Sequence, residues 1–417
     1  SFLKSLFPKK PSDPSHYEAE KIRAQTGTPK QRMTLAKSTK TNQEILYYLA
    51  EHDPDPLVRR AVANNAITPL HASSIIAADV DEDVRLALAH RLVKLLPDLS
   101  EDKHSRLYAF AVQAMGTLAL DEVLKIRMAL STTLRDHALA PPKVVGQLAR
   151  DIERQVAEPI LRYCVVLDDE ELLDILKAHP ASWAVEAIAG RKKVGIKLSR
   201  AIIDSDNRPA GQALIGNAGA EIDVPLLQTI IDKARNYPEW HKPIALRKDL
   251  PKDMAKQLAE FADGAVRDAL LERGDFDEET MEDISSIFLR RLDFAADKGK
   301  NDADPFQKVR RLEKEGRLNE DTLSDALAMR DRAFVCAALA RMARTTIPVV
   351  EKIIGMKAPK PVVALCWRAG LSMRCALHVE KELAQIPHTE LIYPSGGTDY
   401  PFTEAELKQQ LAFLGIS

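Results

Sequence analysis

One pattern returns three times in the first third of this chain and constrains its fold more than any other feature. Residues 53–63 read DPDPLVRRAVA, 79–89 read DVDEDVRLALA and 121–131 read DEVLKIRMALS. Aligned, they share an Asp, four free positions, Val or Ile, Arg, one free position, Ala, Val or Leu, and a small residue. A unit that recurs in this way implies helical segments stacked side by side. Such an architecture presents surface rather than housing one reaction centre.

Each unit reads as two short helices. Asp53–Pro54–Asp55–Pro56 is turn chemistry, because Pro pre-sets φ and Asp caps a following helix. Leu57, Val58, Ala61 and Val62 then form an amphipathic stripe. Asn64–Asn65 read as a helix stop, Asn being tolerant of left-handed backbone. Thr68–Pro69 restart the chain, and 69–78 reads as the second helix, delivering Asp79 to the next unit. The spacing is irregular, with arginines at 59, 85 and 127. Later echoes are weaker: AVRDALL at 265–271 has Phe261 in place of the leading Asp, and QVAEPIL at 155–161 has Ala157 where Arg would fall.

The composition agrees with helices. Apolar residues make up 45% of the 417, aromatics only 5%, and Ala and Leu dominate, whereas strands draw on β-branched and aromatic residues. The formal net charge of −2 gives no whole-chain polyelectrolyte signal for nucleic acid or membrane. Cys164, Cys336, Cys366 and Cys375 form no Cys-x-x-Cys pair, and with no secretory pattern they read as reduced thiols in a cytoplasmic protein. No apolar run is long enough for a transmembrane helix. The expected organisation is a basic arm over 1–26, a helical-repeat domain over 27–295, a polar linker at 297–305 and a C-terminal helical domain over 306–417. In the arm, Phe2, Leu3, Leu6 and Phe7 alternate with Lys4, Lys9 and Lys10. That pattern suits a weak membrane-surface or acidic-partner contact, against the simpler reading of a tail that stays mobile or docks on its own domain.

The repeats resemble HEAT-type helical repeats, in which a first-helix Asp and Arg at this separation belong to the motif. That resemblance implies a polar ladder between successive units, made of Asp53 with Arg59, Asp79 with Arg85, and Asp121 with Arg127. The strings DPDPLVRRAVANN, VAEPILRYCVVLDDEELLDIL and GRLNEDTLSDALAMRDRAFVCAALARMA further resemble the bacterial domain of unknown function number 2336, over roughly residues 30–375. The second resemblance implies a fold and a bacterial origin, but no reaction.

Catalytic and metal signatures are missing. Only Cys375-Ala-Leu-His378 has ligand-like spacing, and a half-site without its second half reads as a core thiol beside a helix-surface His. Gly396–Gly397 lack the Lys-Ser/Thr of a phosphate loop, and there is no nucleophile elbow. Asp168 and Asp169 precede LLDIL, where acids favour a helix N-terminus. No cofactor and no metal is expected. Arg191-Lys192-Lys193, Arg290-Arg291 and Lys308-x-Arg310-Arg311 suit a nucleic-acid groove, yet acids interleave them and solvated helix faces explain them more simply. The sequence-based expectation is therefore an all-α chain, an α-solenoid of HEAT-like helix pairs followed by a smaller C-terminal helical domain. Its expected role is that of a non-enzymatic scaffold for a protein partner, with nucleic-acid binding through basic helix faces as the alternative. The second helices would form the binding surface, with Asn64, Asn65, His90 and Arg91 as edge contacts.

Overall fold

The computed structural model describes residues 14–178, 180–297, 304–395 and 399–416. These residues form 26 α-helices, joined by short 3₁₀ and π-type turns, and no strand longer than an isolated bridge. They divide into two compact units, Ser1–Leu227 and Gln228–Ser417. The division falls inside the helix Val224–Ala234 rather than at the polar stretch 297–305. One reason is visible in the second unit, where Phe294 packs edge-on against Phe334 at 5.2 Å within the C-terminal core. The helix before the stretch thus shares a core with the helices after it. Residues 298–303 of that stretch, and the anchor residues Phe2, Leu3, Lys4, Leu6, Phe7, Lys9 and Lys10, lie outside the described residues.

In the first unit the helices are α1 (Pro14–Thr26), α2 (Pro29–Lys37), α3 (Gln43–His52), α4 (Pro56–Asn64), α5 (Ser73–Ala77), α6 (Glu82–Leu99) and α7 (Arg106–Leu118). They continue as α8 (Leu124–Leu134), α9 (Pro142–Ala149), α10 (Arg154–Tyr163), α11 (Asp169–Lys177), α12 (Ser182–Ala189), α13 (Ile196–Asp204) and α14 (Arg208–Ile215). The even-numbered helices α2 to α14 pack on one another in succession, and α1, α3, α5, α7 and α9 do the same. The starts follow local chemistry: Asn42, Asp55, Asp81, Ser105, Asp168 and Asn207 each accept a first-turn amide on the side-chain oxygen. In the repeated pattern Val58, Val84 and Ile126 are fully buried, as are Val62, Leu88 and Leu130 four residues on. This is the core stripe of the even row. Leu57 departs from the expected stripe and is 60% exposed.

Two local expectations are corrected. The second segment of the first unit is not one helix over 69–78. It opens as a 3₁₀ turn at Leu70–Ala72 and is α-helical only over Ser73–Ala77. Asn65 ends α4 in extended rather than left-handed backbone, at φ −69°. The long gap between Arg85 and Arg127 has a plain cause, because α6 runs for 18 residues where α4 runs for 9.

The C-terminal core of the second unit is organised around the helix Arg332–Met342, which is buried on every side from Phe334 to Ala340. Around it pack Pro305–Lys314, Glu320–Ala328, Ile347–Gly355 and Pro359–Arg368. Lys308 is buried in this core, with its ammonium 3.7 Å from the centre of the Phe294 ring and a hydrogen bond to Phe294 O. Among the described residues no single helix is long and apolar enough to cross a membrane.

Candidate functional site

The repeated Asp and Arg side chains meet, but in a different register from the one expected. The Arg59 guanidinium reaches forward to the carboxylate of Asp79, with Nε–Oδ2 2.7 Å and Nη2–Oδ1 3.0 Å. Its third nitrogen, Nη1, donates to the backbone carbonyl of Asp53 at 2.8 Å. Arg85 repeats this with Asp121 (2.6 and 3.0 Å) and the Asp79 carbonyl (2.7 Å). Arg127 repeats it with Asp151 (2.6 and 3.3 Å) and the Asp121 carbonyl (2.7 Å). Within-unit pairing of the carboxylates is therefore corrected: each acid pairs with the arginine of the preceding unit. The reason is that each Asp carboxylate also accepts the amide two residues on, from Asp55, Asp81, Val123 and Glu153 in turn. That Asx-turn aims the free face of the carboxylate away from its own helix.

The ladder has two members that the spacing did not reveal. Arg32 holds Asp53 at 2.8 Å and the Gly27 carbonyl at 2.7 Å, and Asp151 receives Arg127. In all four rungs both side chains are 13% exposed or less. Bidentate, charge-assisted pairs with this little solvent stiffen the joint between neighbouring units. The ladder ends where Ala157 stands at the arginine position.

The Asx-turns have an outward consequence. The residue after each ladder acid is exposed, and the four equivalents are Pro54, Val80, Glu122 and Ile152. Val80 is 92% and Ile152 90% exposed. Of the expected edge contacts, Asn64 and His90 are exposed, but Asn65 and Arg91 are buried. Asn65 donates to the carbonyls of Ala36 (2.7 Å) and Ser38 (2.9 Å) and accepts the Ile67 amide, and Arg91 donates to the Thr68 carbonyl. Asn65 closes the end of α2 and Arg91 holds the loop after α4, so both are corrected to structural residues. Asn217 repeats the Asn65 arrangement on Ala189 and Arg191.

The basic clusters are largely engaged within the fold. Arg191 donates to the carbonyls of Leu161 and Cys164, and Arg291 to those of Ala259 and Ala262. Arg290 pairs with Asp321 at 3.0 Å, and Arg311 with Glu315 at 3.5 Å.

The second unit contains a knot of titratable groups. Arg235, stacked over Phe261 at 4.7 Å, lies 3.5 Å from Glu260 and 3.6 Å from Glu382. Lys381 pairs with Asp232 at 3.0 Å. His378 is not a surface residue: its side chain is 14% exposed, and its Nε2 lies 3.3 Å from Arg235. Burial, reinforced by Arg235, Arg374 and Lys381, pushes its pKa well below the ordinary imidazole range, so it is neutral. Glu380 is fully buried with Oε2 unpartnered, and burial raises its carboxyl to about 8. Burial raises all four thiols, Cys375 to about 12, which keeps them protonated and unreactive. Among the described residues no group of three or more His, Cys, Asp or Glu is placed to hold a metal ion.

An all-helical chain with ion pairs between successive repeats in its first half and a continuous apolar core over Phe294–Ile416 in its second is a class of architecture, not an activity. The chain belongs to the DUF2336 family, described as uncharacterised protein conserved in bacteria, whose profile matches residues 156–390. The matched stretch begins five residues past Asp151, the last ladder acid, and contains the whole charged knot. No curated protein matches the chain.

Proposed function

We propose that the protein is a non-enzymatic helical-repeat scaffold, an α-solenoid of HEAT-like pairs over α1–α14, that binds a protein partner along its ladder edge. The observation that carries this reading is the exposure of Val80 and Ile152 at equivalent turns beside buried rungs. A turn tip tolerates any polar residue, so large apolar groups that are nine-tenths exposed at repeated positions mark a contact strip. The ladder supports this by holding successive tips in fixed register.

The test is photo-crosslinking in the native host, with the reactive residue placed at Val80, at Ile152, and at the exposed control Lys177. The expected result is the same small set of proteins captured from both tips, absent from the control, and weakened at each tip when the other is replaced (reactive residue at Val80 with Ile152→Asp, and at Ile152 with Val80→Asp), in variants whose melting temperature matches wild type. Capture of nucleic acid, or of identical material at the control, would overturn the reading.

A further inference from the structure

The helix Glu320–Ala328 closes in a Schellman motif. The Asp331 amide donates to Ala326 O at 3.0 Å and the Arg330 amide to Leu327 O at 3.0 Å, with Arg330 left-handed at φ 55°. The next helix, Arg332–Met342, starts at once, with Asp331 capping the Phe334 amide at 3.3 Å. Arg330 and Arg332 therefore flank the N-terminus of an eleven-residue helix. Facing them is the wide turn Val379–Leu383, a π-type element of the kind that recurs at functional sites, followed by left-handed Gln385 at φ 52°. Between the two walls lies a cleft of about 410 Å³, within the range of small-ligand sites. Leu327, Val335, Leu383 and Ile386 supply its apolar lining.

The charges at this cleft do not balance internally. Of its acids, Asp331 caps a helix and Glu382 is paired with Arg235. Of its cations, Lys381 is committed to Asp232. Arg330 uses only Nη2, on Asn236 Oδ1 at 2.9 Å and Arg235 O at 3.2 Å. Arg332 uses only Nη1, on Leu383 O at 3.1 Å. Among the described residues neither guanidinium has a carboxylate partner, and each keeps two nitrogens unengaged. Two planar forks without a carboxylate pair, beside a helix N-terminus and over an apolar floor, suit an anionic head on an apolar body.

We propose that this cleft binds a small organic anion, with its carboxylate or phosphate held by Arg330 and Arg332 and its hydrocarbon part on Leu327, Val335, Leu383 and Ile386. The proposal is independent of the scaffold reading, since no residue of the ladder edge takes part.

Calorimetry on the full chain tests it with three probes of matched length: hexanoate, hexyl phosphate and uncharged hexanol. The expected result is saturable binding at one site by at least one of the anions, at least about tenfold tighter than hexanol, the worth of one charge-assisted pair. Whichever anion binds tighter identifies the head group. Arg330→Gln should lose about tenfold, Arg330→Lys should recover part of that loss, and Arg341→Gln, on the same helix as Arg332 but paired with Glu313, should bind as wild type does. Arg332→Gln should lose at least as much, but it also frees Leu383 O, so Arg330→Gln is the deciding variant. Binding of both anions no tighter than that of hexanol, or affinity unchanged in Arg330→Gln, would overturn the proposal.

Discussion

The two units place their charges in opposite ways. In the first, each of the four ladder guanidiniums faces one carboxylate at equivalent positions, from Arg32–Asp53 through Arg127–Asp151. In the second, Arg235 is shared between Glu260 and Glu382, His378 is held neutral beside it, and Glu380 is buried with Oε2 unpartnered among the described residues. Repetition makes the first arrangement possible: identical joints admit identical pairs, and each pair belongs to one interface. The knot around Arg235 sits at no repeated joint, so its polar groups gather in one irregular network whose members depend on one another.

That contrast can be broken most directly at Arg85. Arg85→Ala should remove about 3 kcal/mol from the unfolding free energy by leaving the Asp121 carboxylate buried without its cation. Urea denaturation followed by circular dichroism measures it, and a loss below about 1 kcal/mol would reduce the rungs to ordinary surface pairs. The next effect belongs to the second unit. Glu380 is protonated in the fold, with its carboxyl raised by burial from 4.5 to about 8. Its contribution is fully present below about pH 4.5 and is lost as pH rises to about 8. Glu380→Gln should therefore flatten the stability profile between these values and raise the melting temperature at pH 8. Asp325, raised by burial to about 6, has the same sign and leaves a residual slope at the acid end. Melts across pH 5–8 that superimpose for the two proteins would show that the carboxyl is ionised and solvated. A smaller loss, about 1 kcal/mol, is expected for Arg273→Ala, which removes bonds to the carbonyls of Ala245 and Arg247. Smallest is Lys125→Ala: its ammonium bridges Glu82 and Asp83 but is 41% exposed, and in the same denaturation assay the change should be smaller than that of Arg273→Ala.

The Asp–Arg spacing carried three of the arginines and three of the acids of the ladder. It did not carry their pairing. Six residues separate Asp53 from Arg59, which brings the guanidinium back to the Asp53 carbonyl, whereas the carboxylate is turned by its own Asx-turn toward Arg32. Arg32 escaped notice because Gln31 stands where the pattern has Val or Ile, and Asp151 because Ala157 follows it. The short phrase Thr34-Leu35-Ala36 after Arg32, and Val156 five residues after Asp151, are the signals that would have found them. Asn65 and Arg91 read as surface residues because polar side chains usually are. Their partners lie 23 to 29 residues away, which no local pattern encodes. The cleft was out of reach for the same reason, since Asn236, Arg330–Arg332 and Lys381–Ile386 come from three separate stretches.

Each rung also has a direction. A guanidinium grips the loop of its own unit and the acid of the next, so every joint is clamped from its N-terminal side. Pulled from its two ends, such an array yields joint by joint. Each step ruptures a pair of parallel bonds and releases one loop, so the rungs break in turn although all of them bear the same tension. The ladder edge would then stretch as a sawtooth of small events, while the continuous core from Phe294 to Ile416 gives way in one larger step.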